Sequence, residues 1–329
     1  MTKATTSPGH ANNFTYDALG RLTVQAMCNT TTLHGYDAAG RRTRMSWADG
    51  NYIDYVYDVT NRVTAIHENC TTSGIGVLAS YGYDNLGRRS SVTYGNGVVQ
   101  SYGFNANQRL QTLTSNLAGT AQDQTASLAY NPAGQIDTLS KSNDSYAWVG
   151  HYNVDRPYTA NGLNQLRAAG SATLGYDGRG NLNASGSTAY AYTTENRLAT
   201  VTPTGAGTTL RYDLGGRLWQ VVQGANTTRF DYSGSALLSE MDGSNTVLRR
   251  YVHDPGVDEP IVWYEGSGLG TRRFLTSDER GSVIAVTDNA GSAIATNRYN
   301  EYGIPQSTNA SLANGGRLQY TEQAWLPAK

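Results

Sequence analysis

Four phenylalanines, eight prolines and two cysteines in 329 residues leave little for a disulfide framework or for a core built on phenylalanine. The cysteines, Cys28 and Cys70, lack histidines at ligand spacing, so neither a bridged scaffold nor a zinc site is indicated. They read as incidental thiols, unbonded to each other. Charge of one sign is also missing: 25 basic side chains face 26 acidic ones, and neither gathers in a run. That balance offers no electrostatic footprint for nucleic acid or an anionic membrane. No apolar stretch nears the roughly 20 residues of a membrane span, and residues 1–13 lack the apolar centre of a signal peptide.

Glycine and tyrosine fill the space, at 37 and 23 residues. With charged residues at 16 %, this composition suits many short, turn-rich strands better than long helices. The length fits one to three domains.

One phrase recurs: Tyr-Asp-x-x-Gly-Arg-Leu. It begins at Tyr16, Tyr36, Tyr57, Tyr83, Tyr130, Tyr176 and Tyr212, with looser copies at Phe104 and Tyr192 and faint ones at Tyr158 and Tyr232. Its second position holds Asp17, Asp37, Asp58, Asp84, Asn105, Asn131, Asp177, Thr193 and Asp213. Nearly all of these can cap a turn backbone from the first place of a type I turn. Three places on stand Gly20, Gly40, Asn61, Gly87, Gln108, Gly134, Gly180, Asn196 and Gly216. Eight of these nine are glycine or asparagine, the residues that best tolerate positive φ, as the bulge closing a hairpin demands.

Such a turn sets Tyr16 opposite Leu22, Tyr57 opposite Val63 and Tyr212 opposite Leu218 on an apolar face. The other face pairs Asp17 with Arg21, Asp37 with Arg41, Asp58 with Arg62, Asp84 with Arg88 and Asp213 with Arg217. Arg42 and Arg89 interrupt the apolar position and must reach solvent or a carboxylate. Eleven hairpins supply about 22 strands, and open twisted sheets seldom exceed about ten. The sheet must therefore curl, close or spiral. The expected fold is all-β, tandem hairpins forming a long curled or spiral shell. Residues 1–240 read as the hairpin array and 241–329 as further hairpins continuous with it.

Tandem phrases of this kind resemble the YD repeats of the rearrangement-hotspot (RHS) family, which includes wall-associated proteins and insecticidal toxin-complex components, and they are similar to the repeats of animal teneurins. The resemblance runs from Phe14 to about Tyr320. The stretch Arg272 to Val283, followed by Val286-Thr287-Asp288, Gly291, Arg298 to Gly303 and Arg317 to Thr321, resembles the start of the RHS-associated core. Glu279 stands where the family often has histidine. In the family, the core continues past a segment like Gln323 to Pro327 to an Asp-Pro boundary where many members release a C-terminal toxin. The sequence stops at Lys329, so self-cleavage and toxin activity are not carried over. The resemblance implies a truncated, non-catalytic scaffold with an effector as its partner, and a secreted or cell-surface location. A glycan- or protein-binding module at the cell surface is the alternative.

Enzyme signatures are absent. His10, His34, His67, His151 and His253 are scattered, and there is no Gly-x-Ser-x-Gly elbow. Asp254-Pro255-Gly256 and the run from Gly266 to Gly270 read as loops. No catalytic residue, cofactor or metal ligand is assigned.

Overall fold

The computed structural model describes residues 2–6, 10–27, 30–150, 157–205, 207–254, 256, 259–300, 302–306, 315–324 and 326. They form two antiparallel sheets, one of 13 strands between Thr2 and Lys141 and one of 15 between Tyr158 and Thr296. Within each sheet every strand pairs with its neighbours in sequence. Such a meander follows from turns that each reverse the chain within a few residues. Among the described residues there is no α-helix, only three short 3-10 turns. The 28 strands exceed the expected 22, because turns outside the Tyr-Asp phrase also reverse the chain. The second sheet passes through residue 240 without a break.

The sheets meet over part of their extent. Met45, Ile53, Ile66, Leu78 and Val98 of the first sheet pack with Val252, Ile261, Tyr264, Phe274 and Ile284 of the second. Trp47 meets Tyr264 edge to face at 6.3 Å between ring centroids, and Tyr94 meets Phe274 at 6.2 Å. Alternation explains the first sheet: in Tyr52–Tyr57 only Ile53 and Tyr55 are buried.

The strands Pro260–Glu265 and Val283–Thr287 do not alternate, and nearly every residue in them is buried. Their second face is covered by Leu318, packed with Trp263, Leu275, Val283 and Val286. A strand sandwiched on both sides needs an apolar residue at every position, which is why these two read as Ile-Val-Trp-Tyr and Val-Ile-Ala-Val. The opposite condition holds from residue 147 to 209, where no described residue is buried.

Candidate functional site

The repeat is the main structural device, and the first hairpin shows how it works. Asp17 accepts the Gly20 amide on its carbonyl at 3.0 Å, and its own amide donates to the Arg21 carbonyl at 3.0 Å. Its Oδ1 accepts the Leu19 and Arg21 amides, both at 2.9 Å, and its Oδ2 takes the Arg21 Nε at 2.6 Å. One carboxylate therefore satisfies three donors that the turn would otherwise leave unpaired. The Arg21 and Arg41 amides are the largest cause holding the Asp17 and Asp37 carboxyls below the usual range. Gly20, Gly40, Gly87, Gly134, Gly180 and Gly216 all have positive φ, and even Gln108 adopts +64°. The expected pairs form: Tyr16 with Leu22, Tyr57 with Val63 and Tyr212 with Leu218. The ion pairs Asp37–Arg41, Asp58–Arg62, Asp84–Arg88 and Asp213–Arg217 form as well.

Sequence pairing within a hairpin does not show how successive hairpins lock together. The Tyr36 hydroxyl donates to the Leu22 carbonyl of the preceding hairpin at 2.8 Å, and Arg21 lies over the Tyr36 ring at 4.9 Å. Arg21 Nη1 also donates to the Asp37 carbonyl at 3.0 Å. The same rung recurs at Tyr57 on Arg42, Tyr83 on Val63, Tyr130 on Leu110 and Tyr212 on Leu198, each ring under an arginine, and Tyr192 makes the hydroxyl bond alone, on Leu182. Tyrosine is required because its ring takes the cation while its hydroxyl reaches the backbone. Phe104 keeps the arginine, Arg88 at 4.2 Å, but has no hydroxyl to donate.

Two faint copies need correction. The hairpin starting at Tyr158 turns on Asn161 and Asn164, with Ala160 at the tyrosine place and paired with Leu166. Tyr232 precedes a tighter turn, in which Ser233 pairs with Ala236, yet it keeps the rung through its bond to the Leu218 carbonyl at 2.7 Å. The same turn chemistry also appears where no Tyr-Asp phrase marks it, at Asp242 with Asn245, Asp278 with Gly281 and Asp288 with Gly291, and in the further copy Tyr299-Asn300-x-x-Gly303. Asp or Asn followed three places on by Gly or Asn is the signal that would have found them.

Polar groups stitch the seam between the sheets. Glu68 accepts the Tyr264 hydroxyl at 2.6 Å and pairs with Arg272. Asn96 Nδ2 donates to Thr287 at 2.9 Å and to the Asp288 carbonyl at 2.8 Å, and Arg250 pairs with Asp49. Arg89 finds its carboxylates in Asp254 and Glu259, at 2.8 and 3.2 Å. Arg42 takes neither expected route: it lies over the Tyr55 ring and donates to its hydroxyl at 3.2 Å. Asp254, read as part of a loop, is buried, and that burial pushes its pKa up to about 6 against the pull of Arg89.

Among the described residues no group of three His, Cys, Asp or Glu side chains could hold a metal. His34 is buried, with desolvation lowering its pKa to about 4, and His253 contacts the Leu237 carbonyl at 2.7 Å. Cys70 is exposed beside Tyr52 and Arg44; Cys28 and His151 lie outside the described residues.

No family model matches the chain. It is 30 % identical over 154 residues to the tRNA3(Ser)-specific nuclease WapA of Bacillus spizizenii, covering 45 % of this chain and 6 % of that protein. The tRNA nuclease WapA of Bacillus subtilis strain 168 is 28 % identical over 155 residues, with the same coverage. Crystal structures of TcdB2-TccC3-Cdc42 and TcdB2-TccC3-TEV match with TM-scores of 0.68 and 0.67 at 17 % and 16 % identity, over 96 % and 95 % of this chain and 21 % of those chains. The Photorhabdus luminescens Tc holotoxin pore matches at 0.58 and 15 % identity, over 90 % of this chain and 20 % of that chain. The chain thus spans about a fifth of its structural neighbours' length and a far smaller share of its curated relatives'. It has the all-β fold of the TcdB2-TccC3 structures, and its likeness to them and to the WapA proteins supports the RHS-like reading of the repeat.

Proposed function

We propose that this chain is a non-catalytic segment of a β-shell that, within a longer secreted or surface-displayed polypeptide, encloses a C-terminal effector. The observation that carries the reading is the fold itself, shared over 96 % of the chain with TcdB2-TccC3-Cdc42. A wall must be continuous and hold its shape without a globular core, and the repeat meets both needs. Each hairpin is fixed by its own turn and tied to the next by a tyrosine rung, so the sheet extends by addition of units. The 147–209 stretch, where no described residue is buried, is what a wall looks like when nothing covers either face.

The test uses the natural polypeptide that contains this chain. Limited proteolysis under native conditions should spare the region downstream of the shell, while brief denaturation should expose it. Cleavage of that region at the unfolded-chain rate in the native protein would refute enclosure. Incubation with RNA, DNA, casein and polysaccharide tests the non-catalytic part: turnover abolished by one His or Asp substitution would refute it.

Surface recognition is the second reading. Tyr158 and Tyr302 favour it, because they are exposed by 59 % and 86 % and suit stacking on a sugar. Binding of the isolated chain to a glycan array, lost in Tyr302→Ala, would support this role over enclosure.

A further inference from the structure

A cavity of about 720 Å³ lies at the seam, between the strands Val77–Tyr83 to Leu110–Asn116 of the first sheet and the turns around Asp254 and Asp278 of the second. That volume is typical of a pocket for a small organic ligand. One wall carries the rings of Tyr83, Tyr94, Tyr102 and Phe104. The other is acidic: Asp254, Glu259, Asp278 and Glu279 line it, against the cations Arg89 and Arg280.

The two ends of the acidic wall differ. At one, Arg89 bridges Asp254 and Glu259. At the other, Asp278 and Glu279 are neighbours whose side chains are 10 % and 5 % exposed. Neither Glu279 oxygen has a hydrogen-bond partner. The nearest cations, Lys141 Nζ at 3.7 Å and Arg280 Nε at 3.6 Å, stay beyond hydrogen-bonding range, and Lys141 is 3.8 Å from Asp278. A buried carboxylate held by ion pairs but without hydrogen-bond donors recovers only part of what it lost on leaving water. Burial, then the Glu279 charge, push the Asp278 pKa up. A buried carboxylate whose two cations sit too far to donate, beside aromatic rings and in a cavity with room for a ligand, is the reverse image of one chemical group.

We propose that this cavity binds a guanidinium group, with Glu279 and Asp278 as its acceptors and the Tyr102 and Phe104 rings as its apolar wall. Guanidinium fits better than ammonium because its planar fork presents parallel N–H donors to carboxylates, and its flat face stacks on rings. Its source is either a small guanidinium compound or an arginine side chain of a polypeptide held against the seam. The site stands apart from the enclosure reading, since a wall with no effector would still carry it.

The test titrates the full chain with capped arginine and with capped citrulline, which has the same shape without the charge, following amide chemical shifts. Arginine should bind roughly tenfold or more tighter than citrulline, the discrimination expected of a charge-assisted pair. Glu279→Gln should abolish that preference with a melting midpoint no lower than the parent's, because it also removes repulsion from Asp278. Lys141→Gln should tighten arginine binding by freeing the carboxylates. An arginine-bearing peptide that binds tighter than capped arginine assigns the site to polypeptide, and equal binding assigns it to small guanidinium compounds; both uphold the proposal. Equal affinity for citrulline, or no shift up to the solubility limit of the probe, overturns it. So does a Lys141→Gln variant that melts lower and binds arginine no better, since Lys141 is then the carboxylates' structural partner.

Discussion

Arg89 Nη2 lies 2.8 Å from Asp254 Oδ2, joining residues from two sheets across the molecular seam. Arg89 occupies the place that holds Leu22, Val63 or Leu218 in other hairpins, facing Tyr83. The repeat gives up one apolar contact there to anchor the second sheet.

Removing that anchor should leave Asp254, 2 % exposed at its side chain, buried without its cation. Arg89→Ala is therefore expected to cost on the order of 3 kcal/mol in denaturant unfolding. The double variant Arg89→Leu with Asp254→Asn should recover most of that loss, because it removes the charge along with its partner. If the single variant unfolds at the parental midpoint, the pair does not hold the seam.

Acid should act in two opposed ways. Burial raises Asp231 from the ordinary carboxylate value to about 6, as it does Asp254. A raised carboxyl contributes stability that is complete below its unfolded value and lost as pH rises through its folded one, so both weaken the fold between about pH 4 and 6. Asp17, Asp37 and Asp177 are lowered by the turn bonds they accept, so their contribution is present above the unfolded value and lost as pH falls. Stability should peak in the mildly acid range. Asp231→Asn should flatten the fall between pH 4 and 6, measured by melting midpoint, and leave the low-pH limb unchanged; a variant that shows the parental slope counts against the buried carboxyl.

The turn glycines separate backbone strain from crowding. Gly180 has φ of +87° and Gln165 is the nearest group that an added Cβ would meet, at 3.5 Å, so space is not the obstacle. Gly180→Val should cost about 1 to 2 kcal/mol, since a β-branched residue resists positive φ. Gly180→Asn should cost about half that or less, as Asn61, Asn164 and Asn196 already fill the same place. Equal melting of the two variants would mean that φ is not the constraint.

Rung strength is open to a double-mutant cycle. Tyr57 donates to the Arg42 carbonyl at 2.8 Å, and Arg41 covers its ring at 4.8 Å. Tyr57→Phe should cost about 1 kcal/mol, the net worth of one hydrogen bond. Coupling between Arg41→Ala and Tyr57→Leu should be about 0.5 to 1 kcal/mol, as for a partly exposed cation over a ring. Zero coupling would reduce the arginine stripe to a set of independent turns.

The hairpins were legible because their turn chemistry is local: Asp17, Gly20 and Arg21 meet within five residues and need no distant partner. The seam was not, because Arg89 and Asp254 are 165 positions apart, and nothing in either neighbourhood names the other. The turns at Asp278 and Asp288 were hidden for a third reason. There the tyrosine place is held by Ser277, half-buried at the cavity, or by Thr287, buried in the core, and the phrase loses its most visible letter while the turn keeps its mechanism.

Protection against hydrogen exchange should divide the second sheet. Its early strands, from Tyr158–Ala160 to Leu198–Thr202, have three to five residues each and no buried side chain. Their ladder is held by turns and rungs alone, and local opening costs little where few apolar contacts break. Phe274, Ile284 and Ala285 of its late strands are buried against the first sheet, so opening there requires separating the sheets. Amides between 158 and 202 should therefore exchange with protection far below those between 260 and 287 in the isolated chain. In the natural polypeptide, whatever lies against the wall should raise protection in the first group and leave the second as it was. Equal protection in the isolated chain would mean that the hairpin ladder is stable without cover, and that its strength resides in the turns.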